Sequence, residues 1–332
     1  MKVGLIDVDG HNFPNLALMK IAAYHKKLGD SVEWCIGLDS YDRIYQAKVF
    51  DETYTEDINF MPQAKEIIKG GTGYFRRKKV GKELRSEIYH CGKWVDIGSR
   101  SEINLANELY CEYLPPEIEH IYPDYSLYKN LTKGTAYGFL TRGCPRNCGF
   151  CIVGCKEGLK SVKVADLKEF WHRHKNIKLL DPNILACRDH MELLEQLAKS
   201  KACVDFTQGL DIRMTTRENV ELLNKIKVKQ IHFAWDNPKD KLEKRFEAYA
   251  AMTTHKPHGH FASVYVLTNF YTTMEENLYR VYTLRDMGFA PYVMIYDKPH
   301  APREIRLLQR WVNNKRIFRK CERFEDYDPR QG

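Results

Sequence analysis

Long apolar runs are missing from this chain. The longest, such as Ala262 to Leu267, fall far short of the ~20 residues that cross a bilayer. Asp7 and Asp9 interrupt the N-terminus before a signal-type apolar segment forms. Ten cysteines in 332 residues are too sparse for a small disulfide-stapled secreted scaffold. With 20 glycines and 13 prolines, no low-complexity tract and no short internal repeat, collagen-like, tail-like and solenoid chains are excluded. No H-E-x-x-H pair, phosphate-cradling P-loop or strand-to-helix nucleophile elbow is found, which argues against nucleotide hydrolysis and serine-type acyl transfer. The expectation is a cytoplasmic protein with reduced thiols and no membrane partner.

What is there is an ordered globular composition, 43% apolar and 29% charged with 20 tyrosines, in a chain about twice the ~150-residue domain prior. Charge is divided unevenly. Residues 1–130 carry 20 acidic against 17 basic side chains, net −3, whereas 131–332 carry 35 basic against 24 acidic, net +11. A basic second half suits an anionic partner.

The apolar pattern reads strand at Val3–Val8, helix at Leu16–Leu28 stopped by Gly29, then strands at Ser31–Gly37, Ala47–Phe50 and Glu66–Lys69, the last ending in Gly70-Gly71. This predicts an open, mostly parallel α/β sheet over residues 1–130, with ligands beyond the C-terminal strand ends. Residues 75–110, with Arg76-Arg77-Lys78-Lys79 and Trp94, read as an insertion or hairpin, and the proline-rich stretch 114–130 as a linker. From residue 131 to 300 the alternation is clearer. Strands are expected near 135–140, 177–181, 203–207, 229–234, 261–267 and 291–296, and helices at Asp166–His174, His190–Lys199, Arg217–Ile226, Lys239–Met252 and Met274–Met287. Six such repeats suggest a partial parallel barrel, open on one side. Residues 301–332 form a basic helix and tail.

At the end of the first strand of this half stands Thr141-Arg142-Gly143-Cys144-Pro145-Arg146-Asn147-Cys148-Gly149-Phe150-Cys151. Three thiolates at this spacing can wrap one cluster from a single loop, with Gly143, Pro145 and Gly149 supplying the turns. Soft sulfur favours iron–sulfur or zinc over magnesium or calcium. With no fourth cysteine ligand, one iron stays open to a small molecule. A structural zinc site completed by Cys155 is the alternative, although zinc knuckles usually come as two separated pairs. Cys155 reads as a small buried or loop residue, or as a contributor to a second cluster.

Cys144-x-x-x-Cys148-x-x-Cys151, with the aromatic Phe150 before the last cysteine, resembles the motif of the radical S-adenosylmethionine (SAM) enzymes, over roughly residues 134–300. The resemblance implies a [4Fe–4S] cluster on Cys144, Cys148 and Cys151 in a partial barrel. It implies SAM chelated to the open iron by its amino and carboxylate groups, an electron donor such as flavodoxin or ferredoxin, and a 5′-deoxyadenosyl radical acting on a substrate that the sequence does not name. It further implies SAM contacts at the strand ends: Phe150 beside the cluster; Asp181 and Asn183 in place of the usual glycine-rich acidic motif for the amino group; Arg213 for the carboxylate, or else paired with Asp211; Asp236 for the ribose; and Asn269 near the adenine. Glu275 and Glu276 read as an acidic first helical turn with Thr273 as cap. The rival from another class is a non-catalytic, metal-stabilised nucleic-acid-binding protein.

The N-terminal half resembles the cobalamin-binding-type domain that precedes the barrel in one radical SAM subgroup. Asp9-x-His11 fits the cobalt-ligating motif, but Pro14 stands where that motif has a permissive glycine. The expectation is such a domain without retained cobalamin. Arg303, Arg306 and Arg310, then Lys315, Arg316, Arg319 and Lys320 with Trp311 and Phe318 interleaved, form a stripe that reads as a solvated helix face or as a phosphate-contacting surface for RNA.

Overall fold

The computed structural model describes residues 1–10, 12–58, 62–80, 83–90, 93–99, 114–257 and 261–331. The chain divides into two compact units. One comprises Met1–Gly138, Val153–Leu159 and Lys168–Arg173; the other comprises Phe139–Ile152, Lys160–Leu167 and His174–Gly332.

In the first unit β1 (Lys2–Asp7), α1 (Leu16–Lys27), β2 (Ser31–Trp34), β3 (Ser40–Ala47) and β4 (Gln63–Gly70) build a parallel sheet of order β2-β1-β3-β4. The Asn15 side chain accepts from the backbone N–H of Leu18 and caps α1. The helix then buries Leu18, Ile21 and Ala22 against Val3, Leu5, Tyr45 and Ala47. The third strand ends at Ala47, where the sequence predicted it to begin. The apolar pair Val49-Phe50 misleads because both peptide N–H groups bind the Asp9 carboxylate, at 2.6–3.0 Å, and so leave the ladder.

No helix joins β2 to β3. Residues 35–39 alone make this crossover, where parallel connections usually take a dozen residues or more. It runs close over β1: the Cys35 N–H donates to the Leu5 carbonyl at 2.9 Å, and a Cβ at Gly4 would stand 2.4 Å from Cys35 Sγ and 2.9 Å from the Tyr41 ring.

The expected insertion is an antiparallel sheet of β5 (Phe75–Val80), β6 (Glu83–His90) and β7 (Lys93–Ser99), with the Arg76 guanidinium 3.9 Å from the Trp94 ring centroid; its remainder, 100–113, lies outside the described residues. The proline-rich stretch expected to link the halves is docked on α1. Its short helix α2 (Pro116–Glu119) puts Ile118 into the core. Lys20 pairs with Glu119 at 2.7 Å, Lys26 with Asp124 at 2.6 Å, and the Tyr128 hydroxyl donates to Asp7. The helix expected at 166–174 is reduced to one turn, Leu167–Glu169. The Phe170 carbonyl accepts from the Tyr125 hydroxyl at 2.6 Å and is lost to a helical ladder, while the Phe170 ring fills the space a Cβ would need at Gly138.

Thr135–Gly138 forms β8 and Val153–Lys156 the short α3. The second unit adds β9 (Thr141–Arg142) antiparallel to β10 (Val162–Lys163). There follow β11 (Asn176–Leu179), α4 (His190–Ser200), β12 (Cys203–Phe206), α5 (Arg217–Leu223), β13 (Val228–Ala234), α6 (Glu243–Met252), β14 (Ala262–Thr268), α7 (Met274–Asp286), β15 (Ala290–Ile295), α8 (Arg303–Asn313) and α9 (Lys315–Lys320). The sheet runs β15-β14-β13-β12-β11-β8, in chain order, with parallel registers from β11 to β15. Alternation gives it two unlike faces. Ile177, Val204, Ile231, Phe233, Val264 and Val293 are fully buried, with Phe233 packed on the Phe246 and Tyr249 rings of α6. The opposite face carries Lys178, Asp205, His232, Ser263, Tyr265 and Tyr292.

The free edge at β15 is closed by side chains. Asn313 accepts from the Val293 N–H at 2.8 Å, and Asn313 and Gln309 both donate to the Val293 carbonyl. Among the described residues no helix is long and apolar enough to cross a membrane.

The crossover predicts a steric test. Gly4→Val should destabilise the chain by about 1–3 kcal/mol through overpacking against Cys35, read as a lowered urea midpoint, and Cys35→Ala in the same chain should recover part of the loss.

Candidate functional site

The cysteine loop leaves the sheet at Leu140-Thr141, and one buried carboxylate holds that root. Asp181, 4% exposed, accepts the backbone N–H of Leu140 at 3.1 Å, that of Thr141 at 2.5 Å and the Thr141 hydroxyl at 2.7 Å. Burial pushes its carboxyl up to about 6, against the pull of the Thr141 and Leu140 hydrogen bonds. The residue expected to receive the SAM amino group is thus turned to the chain's own backbone.

The loop itself has little regular structure and is pinned at several points. Gly143 at φ +83° and Asn147 at φ +48° make left-handed turns. The Cys151 N–H donates to the Cys148 carbonyl at 3.0 Å. Arg146, between the first two cysteines, binds the buried Asp211 beyond β12 at 2.5 Å. Arg213 binds the other Asp211 oxygen at 2.7 Å and Asp240 at 2.6 Å. Burial raises the Asp211 carboxyl, but Arg213 and Arg146 outweigh it and hold it below the ordinary carboxylate range. Of the two readings of Arg213, the pairing with Asp211 is the observed one. Phe150 sets its ring edge-on against Phe270 at 5.5 Å.

Cys144, Cys148 and Cys151 are each partly exposed, whereas Cys155 is 1% exposed on α3. Cys148 is pushed up to about 11 by burial first, then by the charges of Asp236, Cys151 and Cys144. Among the described residues no three His, Cys, Asp or Glu side chains converge where one metal ion would sit. Beside Cys144 lies Asn183, 3% exposed, whose Nδ2 stands 3.6 Å from Cys144 Sγ and whose Oδ1 is buried without a partner. Asp236 is raised to about 6 by burial, against Arg280 and Arg213.

Strand ends elsewhere are held by groups that sequence reasoning missed. Arg280 on α7 is fully buried and donates to the carbonyls of Trp235, Asp236, Leu267 and Glu276 and to Asn277 Oδ1, at 2.6–3.1 Å. Its burial brings the guanidinium down to about 10. Asn269, expected near an adenine, sits at φ +62° and donates to the Tyr296 carbonyl at 2.8 Å. Thr273 and Glu276 form a reciprocal capping box at the start of α7, as expected for that acidic first turn. Of the basic stripe, Arg303, Arg306 and Arg310 are exposed, but Trp311 is fully buried and packs on Phe318 at 4.8 Å, so those two aromatics serve the fold.

The polar sheet face is the second missed feature. His232 stacks on Tyr265 with centroids 5.0 Å apart and planes 5° from parallel. Its Nδ1 lies 2.6 Å from Ser263 Oγ, and its Nε2 lies 4.0 Å from Asp205. Burial lowers its pKa. The available signal was polar residues at period two within otherwise apolar parallel strands, which normally read as continuous apolar runs.

In the N-terminal unit, His11 lies outside the described residues. Gly71, at φ +105°, and Gly73 are accounted for by the chain's own backbone: Cβ atoms there would stand 2.3 Å from the Lys48 carbonyl oxygen and 2.4 Å from that of Phe50.

No protein-family profile matches this chain, and no curated protein matches it. Its structure is similar to that of the radical S-adenosylmethionine methyltransferase TsrM from Kitasatospora setae, solved with cobalamin and a [4Fe–4S] cluster bound. The likeness covers 89% of this chain and 75% of that one, with a TM-score of 0.56 and 10% sequence identity. At that identity it is a likeness of fold: mixed α/β with parallel sheets.

Asp181 yields a pH test. With a folded pKa near 6 above an unfolded value near 4, the folded chain holds a proton that the unfolded chain has released. This group's contribution to stability is therefore present below about pH 4 and is lost as pH rises to about 6. Asp181→Asn should flatten that part of the stability profile, measured by urea unfolding from pH 4 to 7.

Proposed function

We propose that the chain is a radical SAM enzyme in which Cys144, Cys148 and Cys151 bind a [4Fe–4S] cluster and SAM takes the open iron. The observation that carries this reading is the three-cysteine loop following the first strand of a six-stranded sheet in chain order, in a fold shared with an enzyme of that kind. The donor set fits the group. Its three sulfurs are soft ligands carried on one loop, and a cubane holds each cysteine on a separate iron. When bound, the cluster would supply the electron that cleaves the sulfonium of SAM to a 5′-deoxyadenosyl radical.

The chain's own residues then have distinct tasks. Asp181 fixes the root of the loop and Arg146, through Asp211, its middle. Phe150, just before the third cysteine, packs edge-on against Phe270 and steadies that end of the loop. Asn183 carries a buried acceptor without a partner beside Cys144, suited to an ammonium N–H from SAM; the amino-group role expected of Asp181 passes to it. Asp236, just beyond the end of β13, is the acid we assign to the ribose hydroxyls. With Arg213 committed to two carboxylates, the SAM carboxylate needs the iron rather than that side chain. The sheet is taken to curve as a partial barrel with its polar face inward, and a small reduced redox protein to deliver the electron.

Anaerobic reconstitution tests this. We expect about four irons per chain with a cubane spectrum and 5′-deoxyadenosine after reduction with SAM. Ala at 144, 148 or 151 should reduce product to background, while Cys155→Ala should leave the spectrum intact. Tightly bound zinc without SAM cleavage refutes the reading and favours a metal-stabilised binding protein.

The neighbour carries cobalamin; of Gly70-Gly71, the pair that would let the backbone approach that cofactor's nucleotide tail, Gly71 is taken up by the Lys48 carbonyl while Gly70 borders open space, and Pro14 stands in place of the permissive glycine of the histidine motif. We expect hydroxocobalamin titration to show no stoichiometric complex and His11→Ala to leave SAM cleavage unchanged; a one-to-one complex lost on that substitution would instead make methyl transfer through cobalt the reading.

A further inference from the structure

Arg280, in the middle of α7, is 0% exposed. Taking a guanidinium out of water is expensive unless every donor is satisfied. Here every N–H is, and none by a carboxylate. Nε donates to the Glu276 carbonyl at 3.1 Å, Nη1 to the carbonyls of Trp235 at 2.7 Å and Asp236 at 2.9 Å, and Nη2 to the Leu267 carbonyl at 3.0 Å and Asn277 Oδ1 at 2.6 Å. Glu276 and Asn277 tie the fork to its own helix. Trp235 and Asp236 lie just beyond β13, and Leu267 is the penultimate residue of the neighbouring β14. A rigid planar fork with fixed donor directions thus sets the separation of two strand ends, which an apolar side chain of similar size would fill but not set.

The segment so held carries an acid. The loop that Asp236 opens is clamped again at its far end, where the Trp235 indole N–H donates to the Asp240 carbonyl at 2.8 Å and the Asp240 carboxylate takes Arg213 at 2.6 Å. The backbone on both sides of Asp236 is therefore committed, while among the described residues no side chain donates a hydrogen bond to its carboxylate. Burial raises the Asp236 carboxyl and lowers the Arg280 guanidinium, and against that burial each is the leading charge that restores the other.

We infer that Arg280 is a positioning residue for SAM: out of a ligand's reach itself, it fixes the Asp236 carboxylate toward the ribose hydroxyls and thereby sets the affinity for the nucleoside half of SAM. The inference rests on the proposed enzyme, in which Asp236 has that role. A carboxylate can accept from neighbouring hydroxyls with full effect only if its backbone does not swing, and a misplacement of about 1 Å can cost about a hundredfold in a positioned interaction. The methionyl half, held by the iron, makes no demand on this pair. The expected signature is therefore selective loss of ligands that carry a ribose. A role confined to stability would weaken all ligands alike, or none.

The test is equilibrium dialysis of labelled SAM against the reconstituted full-length protein, with its cluster oxidised so that no cleavage occurs. Competition by S-adenosylhomocysteine and by methionine gives the affinities of a ligand with the ribose and one without it. Arg280→Lys, which keeps the charge but not the fork, and Asp236→Asn should each weaken SAM and S-adenosylhomocysteine about ten- to thirtyfold. Methionine should stay within about twofold, and iron content and the cluster spectrum should match the wild type. Because one residue acts through the other, the double variant should bind SAM within about twofold of the weaker single variant. If Arg280→Lys does not fold, Asn277→Ala, which removes an acceptor that orients the fork, must show the same selective loss at about three- to fivefold. Wild-type SAM affinity in Arg280→Lys or in Asp236→Asn, equal loss of methionine, or additive losses in the double variant overturns the inference. Iron content and SAM cleavage of the same wild-type preparation are measured in parallel. Their absence fails the enzymatic reading and takes this inference with it, whereas their presence beside a non-selective loss fails the inference alone.

Discussion

The candidate site depends on keeping an irregular loop in one conformation. Residues 143–151 contribute almost no backbone ladder, so their order must come from the groups that seize the chain at its ends and middle. At the root, Asp181 gathers two backbone N–H groups and a hydroxyl onto one buried carboxylate. Such a group is costly to bury unless satisfied, and its satisfaction ties the end of β11 to the start of the loop. Further along, the Arg146–Asp211–Arg213 bridge links the loop to the end of β12. Thiols on an irregular loop can act together only if that loop is held in one conformation, and these anchors hold it.

The same economy recurs on the far strands. Arg280 directs its N–H groups to carbonyls at the ends of β13 and β14 and to its own helix, a use of buried cationic charge as a multi-point hydrogen-bond donor and not as half of an ion pair. Asn269 then joins the turn after β14 to the chain beyond β15. Side chains thereby hold the strand ends from β11 to β15, the places where parallel sheets carry their chemistry, and the helical face supplies bulk stability through Phe233 and its aromatic neighbours. The division of labour leaves the other face free to be polar. His232, Ser263 and Tyr265 are permitted there because each has a hydrogen-bond or stacking partner.

The first unit solves a different problem. Among the described residues its sheet has one long helix and a bare crossover, so Gly4 gives up its side chain to let Cys35 pass and the proline-rich segment supplies the second layer over α1. Charge pairs such as Lys20–Glu119 fasten that layer, but the Ile118 contact is what makes it core. The glycines after β4 answer to the same economy, yielding space to neighbouring backbone.

Local information determined a great deal of this protein. The alternation of apolar strands with capped helices, the stop at Gly29, the capping box at Thr273 and the positions of β11 to β15 all follow from interactions between residues near in sequence. The spacing of Cys144, Cys148 and Cys151 on one loop is likewise a local property. Partnership across the chain was not legible. Asp181 and Arg213 looked like ligands because a charged residue at a strand end has the same local signature whether it faces a cofactor or the protein's own backbone and carboxylates. Arg280 carried no signal of its own in the sequence, and its role comes only from the carbonyls at the ends of β13 and β14 that converge on it. Val49-Phe50 read as a strand until Asp9, forty residues away, took their N–H groups. In each case a hydrogen-bonding group must find some partner on burial, and a sequence states the group and its need, whereas only the tertiary structure brings the partner within 3 Å.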